Sequence, residues 1–206
     1  MKKLAIISIF SFSFITTCFA QLPKMDTSRH VTPYTKFPTL YLGFGVGLDN
    51  YCGILGIGAT AKIVNPIYIR VGAGIGSWGT KLTGTLLYKE KPLSGWTIGV
   101  GYSYSTGLSS FSPSLQTVDA NGNTVTKNVN MTLLPASTLN LTAAYDWYYH
   151  NKNFFYLEFG YFLPFQSPPP YRINDGSVLN NISQSAISID APGGIVLGVG
   201  LMFGTN

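Results

Sequence analysis

The side chains that could do chemistry are few. There are two histidines, His30 and His150, two cysteines, Cys18 and Cys52, and only 10% of the chain is charged. A nucleophilic site needs a base within hydrogen-bond reach of its nucleophile. A structural metal needs about four Cys, His or carboxylate ligands at short spacings. The two histidines are far apart in the sequence and give no ligand spacing with Cys52, so no catalytic residue, metal site or cofactor is expected. Cys52 reads as a lone small residue near a turn, and His150 as a solvated turn residue. The glycine runs Gly43 to Gly47 and Gly99 to Ser103 lack the strand–turn–helix setting of a phosphate-binding loop. Four charges differ from the rest. Lys62, Arg70, Asp146 and Glu158 occupy the alternate positions held elsewhere by glycine, alanine and threonine, within segments whose other positions are apolar. An isolated buried charge is strongly unfavourable, whereas a hydrogen-bonded opposite pair is tolerated. The role expected of these four is structural.

The segments that must position them show a period of two. Ile195, Leu197, Val199, Leu201 and Phe203 are large and apolar, while Val196, Gly198, Gly200 and Met202 between them are mostly small. Alternate side chains of a strand point to opposite faces, so this is a strand with one apolar and one nearly bare face. The same split recurs in Leu40 to Leu48, Leu55 to Ile63, Ile67 to Gly76, Trp96 to Ser105, Met131 to Tyr149 and Phe155 to Leu163. A segment from Lys81 to Tyr88 completes the set, its alternation broken at Leu86-Leu87. Turns fall at Asp49-Asn50, Asn65-Pro66, Lys89 to Pro92 and His150 to Asn153. Eight strands predict an all-β closed antiparallel barrel. Strand two then lies across from strand six, and strand three across from strand seven.

Period alone leaves the apolar face free to point in or out. Pointing in, it would make a soluble lipocalin-like barrel that binds a small ligand. Three features favour the outward, membrane-spanning arrangement. A soluble outer surface of glycine and threonine would carry too few charges. The bare-face charges are of both signs, as expected inside a lumen. Tyr145, Trp147, Tyr149 and Phe155 gather around one turn like the aromatic girdle at a membrane interface. Loop lengths add a parity. The even-numbered connections are short, and the long ones, 106–130 and 166–192, are odd-numbered, which matches short periplasmic turns and longer external loops.

The chain opens with Lys2-Lys3, an apolar run to Ile15 and Cys18-Phe19-Ala20, which reads as a cleaved signal peptide over 1–20. Residues 21–37, with Pro23 and Pro33, read as a flexible periplasmic lead-in, and 38–206 as the barrel. Removing the leader takes Lys2 and Lys3 from 13 basic residues against 8 acidic ones, so the net charge falls from +5 to +3. That charge is too dispersed for nucleic acid. The expected surroundings are outer-membrane lipid, and the expected state is a monomer.

The leader, the eight amphipathic segments, the glycine-lined face and the aromatic-ended last strand resemble the small outer-membrane β-barrel family of Gram-negative bacteria, OmpX-like and OmpA-transmembrane-like. The likeness covers about Thr39 to Phe203. It departs at the end, where Gly204-Thr205-Asn206 follow the aromatic on which family members usually finish. The resemblance implies an outer-membrane location and a structural or surface-scaffold role, with the two long loops offered to an extracellular protein or surface ligand. Some such barrels modify lipid through a His and Ser, or a His, Asp and Ser, at the external side. Here His30 falls in the lead-in and His150 in a periplasmic turn, at the other end. An eight-stranded barrel is just wide enough for side chains to fill it, so an open pore is not expected.

Two finer expectations follow. Lys62 and Arg70 should face Asp146 and Glu158 across the lumen near the periplasmic turns, with Tyr68 and Tyr156 supplying hydroxyl partners. Strands five and six should continue outward as a ribbon turning at Asn121-Gly122, the strongest hairpin signal in the chain; the alternative is a floppy polar loop.

Overall fold

The computed structural model describes residues 37–91, 94–149, 152–166 and 169–205. The expected signal peptide, almost all of the lead-in and both histidines lie outside those residues. The wall begins with β1 (Leu40–Asn50), β2 (Gly53–Val64), β3 (Ile67–Gly76), β4 (Gly79–Lys89) and β5 (Gly95–Ser105). Four short strands follow: β6 (Leu108–Phe111), β7 (Ser114–Val118), β8 (Thr124–Asn128) and β9 (Met131–Leu133). The wall resumes with β10 (Ala136–Tyr149) and β11 (Asn153–Pro164). Then come β12 (Tyr171–Ile173), β13 (Val178–Leu179), a helix α1 (Asn181–Asp190) and the last wall strand, β14 (Gly194–Thr205).

The eight long strands close into an antiparallel barrel in the order β1-β14-β11-β10-β5-β4-β3-β2. Closure is made by β14 against β1, from Leu40 opposite Thr205 to Leu48 opposite Leu197. The apolar face points outward all round: Ile57, Ile75, Ile98 and Ile195 are 60 to 75% exposed or close to it, at 69%, 69%, 62% and 73%. The inward set contains the buried charges and aromatics, among them Tyr41, Arg70, Asp146, Tyr156 and Glu158. The break at Leu86-Leu87 is no break in the strand. Leu86 points out, and Leu87 is an apolar side chain buried in the lumen.

Register gives the lumen two unlike walls. Across β14, β1, β2 and β3 the glycines fall side by side, with Gly200 opposite Gly45, Gly45 opposite Gly56, and Gly56 opposite Gly74. Across β4, β5 and β10 the inward positions include a band of hydroxyls and an amide: Thr83, Thr85, Thr97, Ser103, Thr138 and Asn140 are all buried. Ser103 Oγ lies 2.6 Å from Thr83 Oγ1 and accepts from Asn140 Nδ2 at 2.5 Å, while Thr138 Oγ1 donates to Asn140 Oδ1 at 2.8 Å.

The glycine wall makes room for large groups. The β1–β2 ladder shifts between Val46 and Asn50, Asp49 takes a positive φ of 46°, and the turn folds inward. Tyr51 and Cys52 are consequently buried. A Cβ at Gly58 or Gly72 would run into the Tyr51 ring, and one at Gly45 or Gly200 into the Tyr156 hydroxyl. The bare face is bare because the lumen is filled from the other side.

Two expectations about the external connections are corrected. Met131–Leu133 does not begin the sixth wall strand. It forms β9 of a separate sheet, β12-β9-β6, and the wall strand starts at Ala136. Pro135 intervenes, with no N–H to give and a restricted preceding residue. The ribbon is not a continuation of the wall either. Gly107, at a φ of 73°, turns the chain away after β5. The hairpin at Asn121-Gly122 does form, as β7 and β8 paired from Ser114 opposite Asn128 to Val118 opposite Thr124. It belongs to a second sheet, β13-β7-β8, built from both long connections.

Candidate functional site

Among the described residues three ion pairs stand in the lumen, and each is carried by strand parity. Inward positions of β4 run Lys81, Thr83, Thr85, Leu87, Lys89, so both ends of that strand present a lysine to the interior. In the middle pair, Arg70 Nη1 of β3 donates to Glu158 Oε1 of β11 at 3.1 Å, with both residues 1% exposed. The guanidinium carbon lies 4.8 Å from the Tyr51 ring centre and 5.1 Å from that of Tyr156. Stacking of this kind suits the planar, weakly hydrated guanidinium better than an ammonium.

Lys89 holds the second pair. Its Nζ donates to Asp146 Oδ2 at 2.5 Å and to the Tyr148 hydroxyl at 3.4 Å, and it lies 4.3 Å from the Phe154 ring centre. Thr97 Oγ1 donates to the same Asp146 oxygen at 2.8 Å. Below the charges, Tyr41 and Tyr148 pack against Phe154 at centroid distances of 5.2 and 4.9 Å. At the other end of β4, Lys81 donates to the Asp49 side chain, and to the Asp49 carbonyl at 2.9 Å. Asp49 Oδ2 also accepts from the Gly193 N–H at 3.1 Å, which ties the start of β14 to the tucked β1–β2 turn.

Of the four charges singled out from sequence, Arg70 and Glu158 are brought together, and Asp146 meets Lys89. Lys62 is corrected. It is half-buried near the end of β2, where the β2–β3 ladder slips between Lys62 and Val64, and it takes part in none of the three pairs. Lys89 reaches Asp146 instead because β4 and β10 are both neighbours of β5, with Lys89 opposite Thr97 and Asp146 opposite Gly95. Continuing the parity of β4 from Lys81 would have found Lys89, which the charged run Lys89-Glu90-Lys91 disguised as a turn. The tyrosines are also corrected. Tyr156 meets Arg70 with its ring face, and Tyr68 lies with its ring centre 5.3 Å from Lys89 Nζ.

Tyr145, Trp147, Tyr149 and Phe155 share the outward parity of their strands. Trp147 lies 4.6 Å from Tyr145 and 5.6 Å from Phe155 between ring centres, and Trp96 extends the row at 5.4 Å from Tyr145. Cys52 is buried, its Sγ 3.5 Å from the Gly45 carbonyl oxygen. Among the described residues no group of three or more His, Cys, Asp or Glu is placed to hold a metal ion.

At the other end the long connections build a cap with its own core. Trp78 from the β3–β4 turn, Val129, Met131, Leu133, Leu179 and Ile187 pack together, and the Trp78 Nε1–H donates to the Leu134 carbonyl at 2.8 Å. Helix α1 is capped by Asn180, whose side chain accepts from the Ser183 N–H at 2.9 Å, and its buried residues are Ser183 and Ile187. Asp175 joins the two connections, accepting from the N–H of Asn130 at 3.1 Å and of Ser177 at 3.0 Å. The Ser177 side chain and N–H, then the Asn130 N–H, hold its carboxyl down to about 2 from an ordinary 3.8. Asp119 is likewise lowered, by the N–H groups of Asn123 and Asn121 in the hairpin turn. No sequence period could have announced this cap. Its strands are two to five residues long.

Fold and lumen together define a closed eight-stranded antiparallel β-barrel filled by paired charges and aromatic rings, with a small α/β cap over one end. No protein-family model matches the chain. No curated protein matches it either. Among solved structures, one of the NanC porin in a rhombohedral crystal form is similar, at 10% identity over 81% of this chain and 100% of that one, with a TM-score of 0.25. A superposition that loose carries no argument about fold or function.

Proposed function

We propose that this protein is an outer-membrane barrel of the small eight-stranded kind, working as a surface scaffold. Its wall anchors in lipid, its lumen is filled and rigid, and its cap is the part offered for binding. One observation carries the reading: the distribution of side chains is inverted relative to a soluble barrel. Phe44, Leu86, Ile98, Ile57 and Ile195 stand 45 to 73% exposed around the outside, while Arg70, Glu158, Lys89 and Asp146 are buried within. An apolar outer band with a polar interior is the arrangement lipid demands, and soluble proteins rarely expose so large an apolar surface. The aromatic row of Trp96, Tyr145, Trp147 and Phe155, the leader-like first 20 residues and the parity of the loops all point the same way. The work assigned to the cap is binding, with no catalysis and no cofactor.

The test is partition. The chain from residue 21, refolded from denaturant in the presence of phosphatidylcholine vesicles, should float with them and shield the wall strands from trypsin. A chain that folds, stays monodisperse without detergent and ignores vesicles would overturn the membrane reading in favour of a soluble barrel.

A further inference from the structure

We propose that the cap joins a second copy of this chain edge to edge along β8, so that the sheet β13-β7-β8 of one molecule runs on into β8-β7-β13 of the other. The starting observation is a strand with one side unused among the described residues. In the sheet order β13-β7-β8, β7 is flanked on both sides and β8 on one. All five residues of β8, Thr124-Val125-Thr126-Lys127-Asn128, are exposed. Proteins commonly blunt such an edge with proline, a bulge or charges. Here the ladder is regular over all five pairs, and Lys127 is the sole charge.

Hydrogen-bond parity says which groups the edge offers. At the turn, the Asp119 N–H donates to the Asn123 carbonyl at 2.9 Å, and beyond the other end the Val129 N–H donates to the Pro113 carbonyl at 3.0 Å. Bonded pairs alternate along an antiparallel ladder, so between those points Val125 and Lys127 bond to β7. Thr124, Thr126 and Asn128 turn their N–H and C=O groups to the open side.

A second β8 answers that pattern. Two copies related by a two-fold axis through Thr126 place Thr126 opposite Thr126 and Thr124 opposite Asn128. Every outward N–H and C=O then meets a complementary outward group, because the bonding positions of the strand map onto themselves. On one face, Thr–Thr and Thr–Asn pairs come together, a favourable cross-strand combination. On the other, Lys127 lies opposite Val125 and its charge is not set against its copy. Like charges directly opposite are what make an edge reject itself, and this register avoids them. Such a contact is isologous, the commonest form for homodimers. It departs from the expectation of a monomer only in the cap, since the barrel itself is closed and needs no partner.

The proposal rests on the cap being the interaction surface, and it can be tested separately from the membrane reading because detergent-solubilised protein suffices. The Thr126 N–H points away from β7, so Thr126→Pro removes an edge donor at a site where an edge strand tolerates proline. Paired bonded positions place Cα atoms about 5.5 Å apart, within the range a disulfide spans. Cys52 is buried and leaves little background in a chain begun at residue 21. The expected result is a dimer mass by light scattering and a Thr126→Cys variant that cross-links on mild oxidation. Thr124→Cys, set opposite Asn128, should not cross-link to its copy. Thr126→Pro should weaken association by more than about tenfold, with amide protection in β7 retained to show that the cap is still folded. A wild-type chain that stays monomeric, a Thr126→Pro variant that dimerises unchanged, or equal cross-linking at 124 and 126 would overturn the proposal. Capture of a foreign extended peptide by a monomeric wild-type chain would replace the second copy as the occupant of the edge.

Discussion

The lumen and the cap are two cores in one chain, built on opposite principles. In the lumen, six paired charges among the described residues and a group of tyrosines and phenylalanines fill a space that glycine leaves open. Every ion pair there joins segments distant in sequence, such as Arg70 with Glu158. In the cap, the centre is apolar, and carboxylates serve at the surface as turn and junction acceptors, as with Asp119 and Asp175. The contrast follows from where each region puts its apolar side chains. With an apolar face committed to the outside of the wall, polar groups collect within the barrel. The cap follows the ordinary rule and hides Trp78, Met131 and Ile187. Damage to the two cores should therefore differ in kind, being global and electrostatic in one and local in the other.

The largest effect is expected in the lumen. Glu158→Ala leaves Arg70 buried without its counter-ion, and it should lower barrel stability by roughly 3–5 kcal/mol, read as a shifted urea midpoint for the detergent-folded protein. An unchanged midpoint would mean that the lumen is well hydrated and the pair weak. Ile187→Ala in α1 should cost about 2–3 kcal/mol of cap stability. Its signature is faster amide exchange in β7 and α1 with the barrel's midpoint unmoved. If barrel and cap lose stability together, they are one cooperative unit and the comparison fails. Asn180→Ala, which removes the cap of α1, should cost about 1 kcal/mol and loosen the helix without touching β8.

The smallest effect concerns pH. The Asp175 carboxyl is lowered in the folded cap to about 2 from an ordinary 3.8. A lowered folded value means that the charged form favours folding, so this contribution is present in full above pH 4. It fades as pH falls from about 4 to about 2. Exchange of the Asn130 and Ser177 amides should accelerate across that window beyond the intrinsic change, and Asp175→Asn should abolish the pH dependence. A response centred at pH 6 would assign the junction to another group.

Much of the barrel was legible because the wall strands repeat one simple rule over ten or more residues. Leu40 to Leu48 and Ile195 to Phe203 separate into faces at sight, and the turn at Asn65-Pro66 marks itself. What escaped did so for physical reasons. Lys89 sits at the last inward position of β4, where a following Glu90-Lys91 makes it look like loop. The Leu86-Leu87 pair hides parity because one leucine faces out and its neighbour fills the lumen. Tyr51 and Cys52 enter the lumen through a turn whose inward path is licensed by glycines on other strands, such as Gly58 and Gly72, so no local pattern reveals it. The cap core gathers single residues from several separate segments, and three-residue strands carry no period. Its helix left only a faint trace, Asn180 as a cap and Ile187 as a buried residue.

The central claim is that the outer wall meets lipid while the cap stands clear of it, and the three tryptophans divide along that line. Trp96 and Trp147 are on the outside of the wall, 47% and 39% exposed, and Trp78 is buried in the cap at 3%. Variants retaining one tryptophan each, the others replaced by phenylalanine, can be folded into vesicles whose acyl chains carry bromine, which quenches fluorescence on contact. Strong quenching of Trp96 and Trp147 and none of Trp78 is the predicted result. Quenching of Trp78 equal to theirs, or wall tryptophans that fluoresce undiminished, would contradict the account.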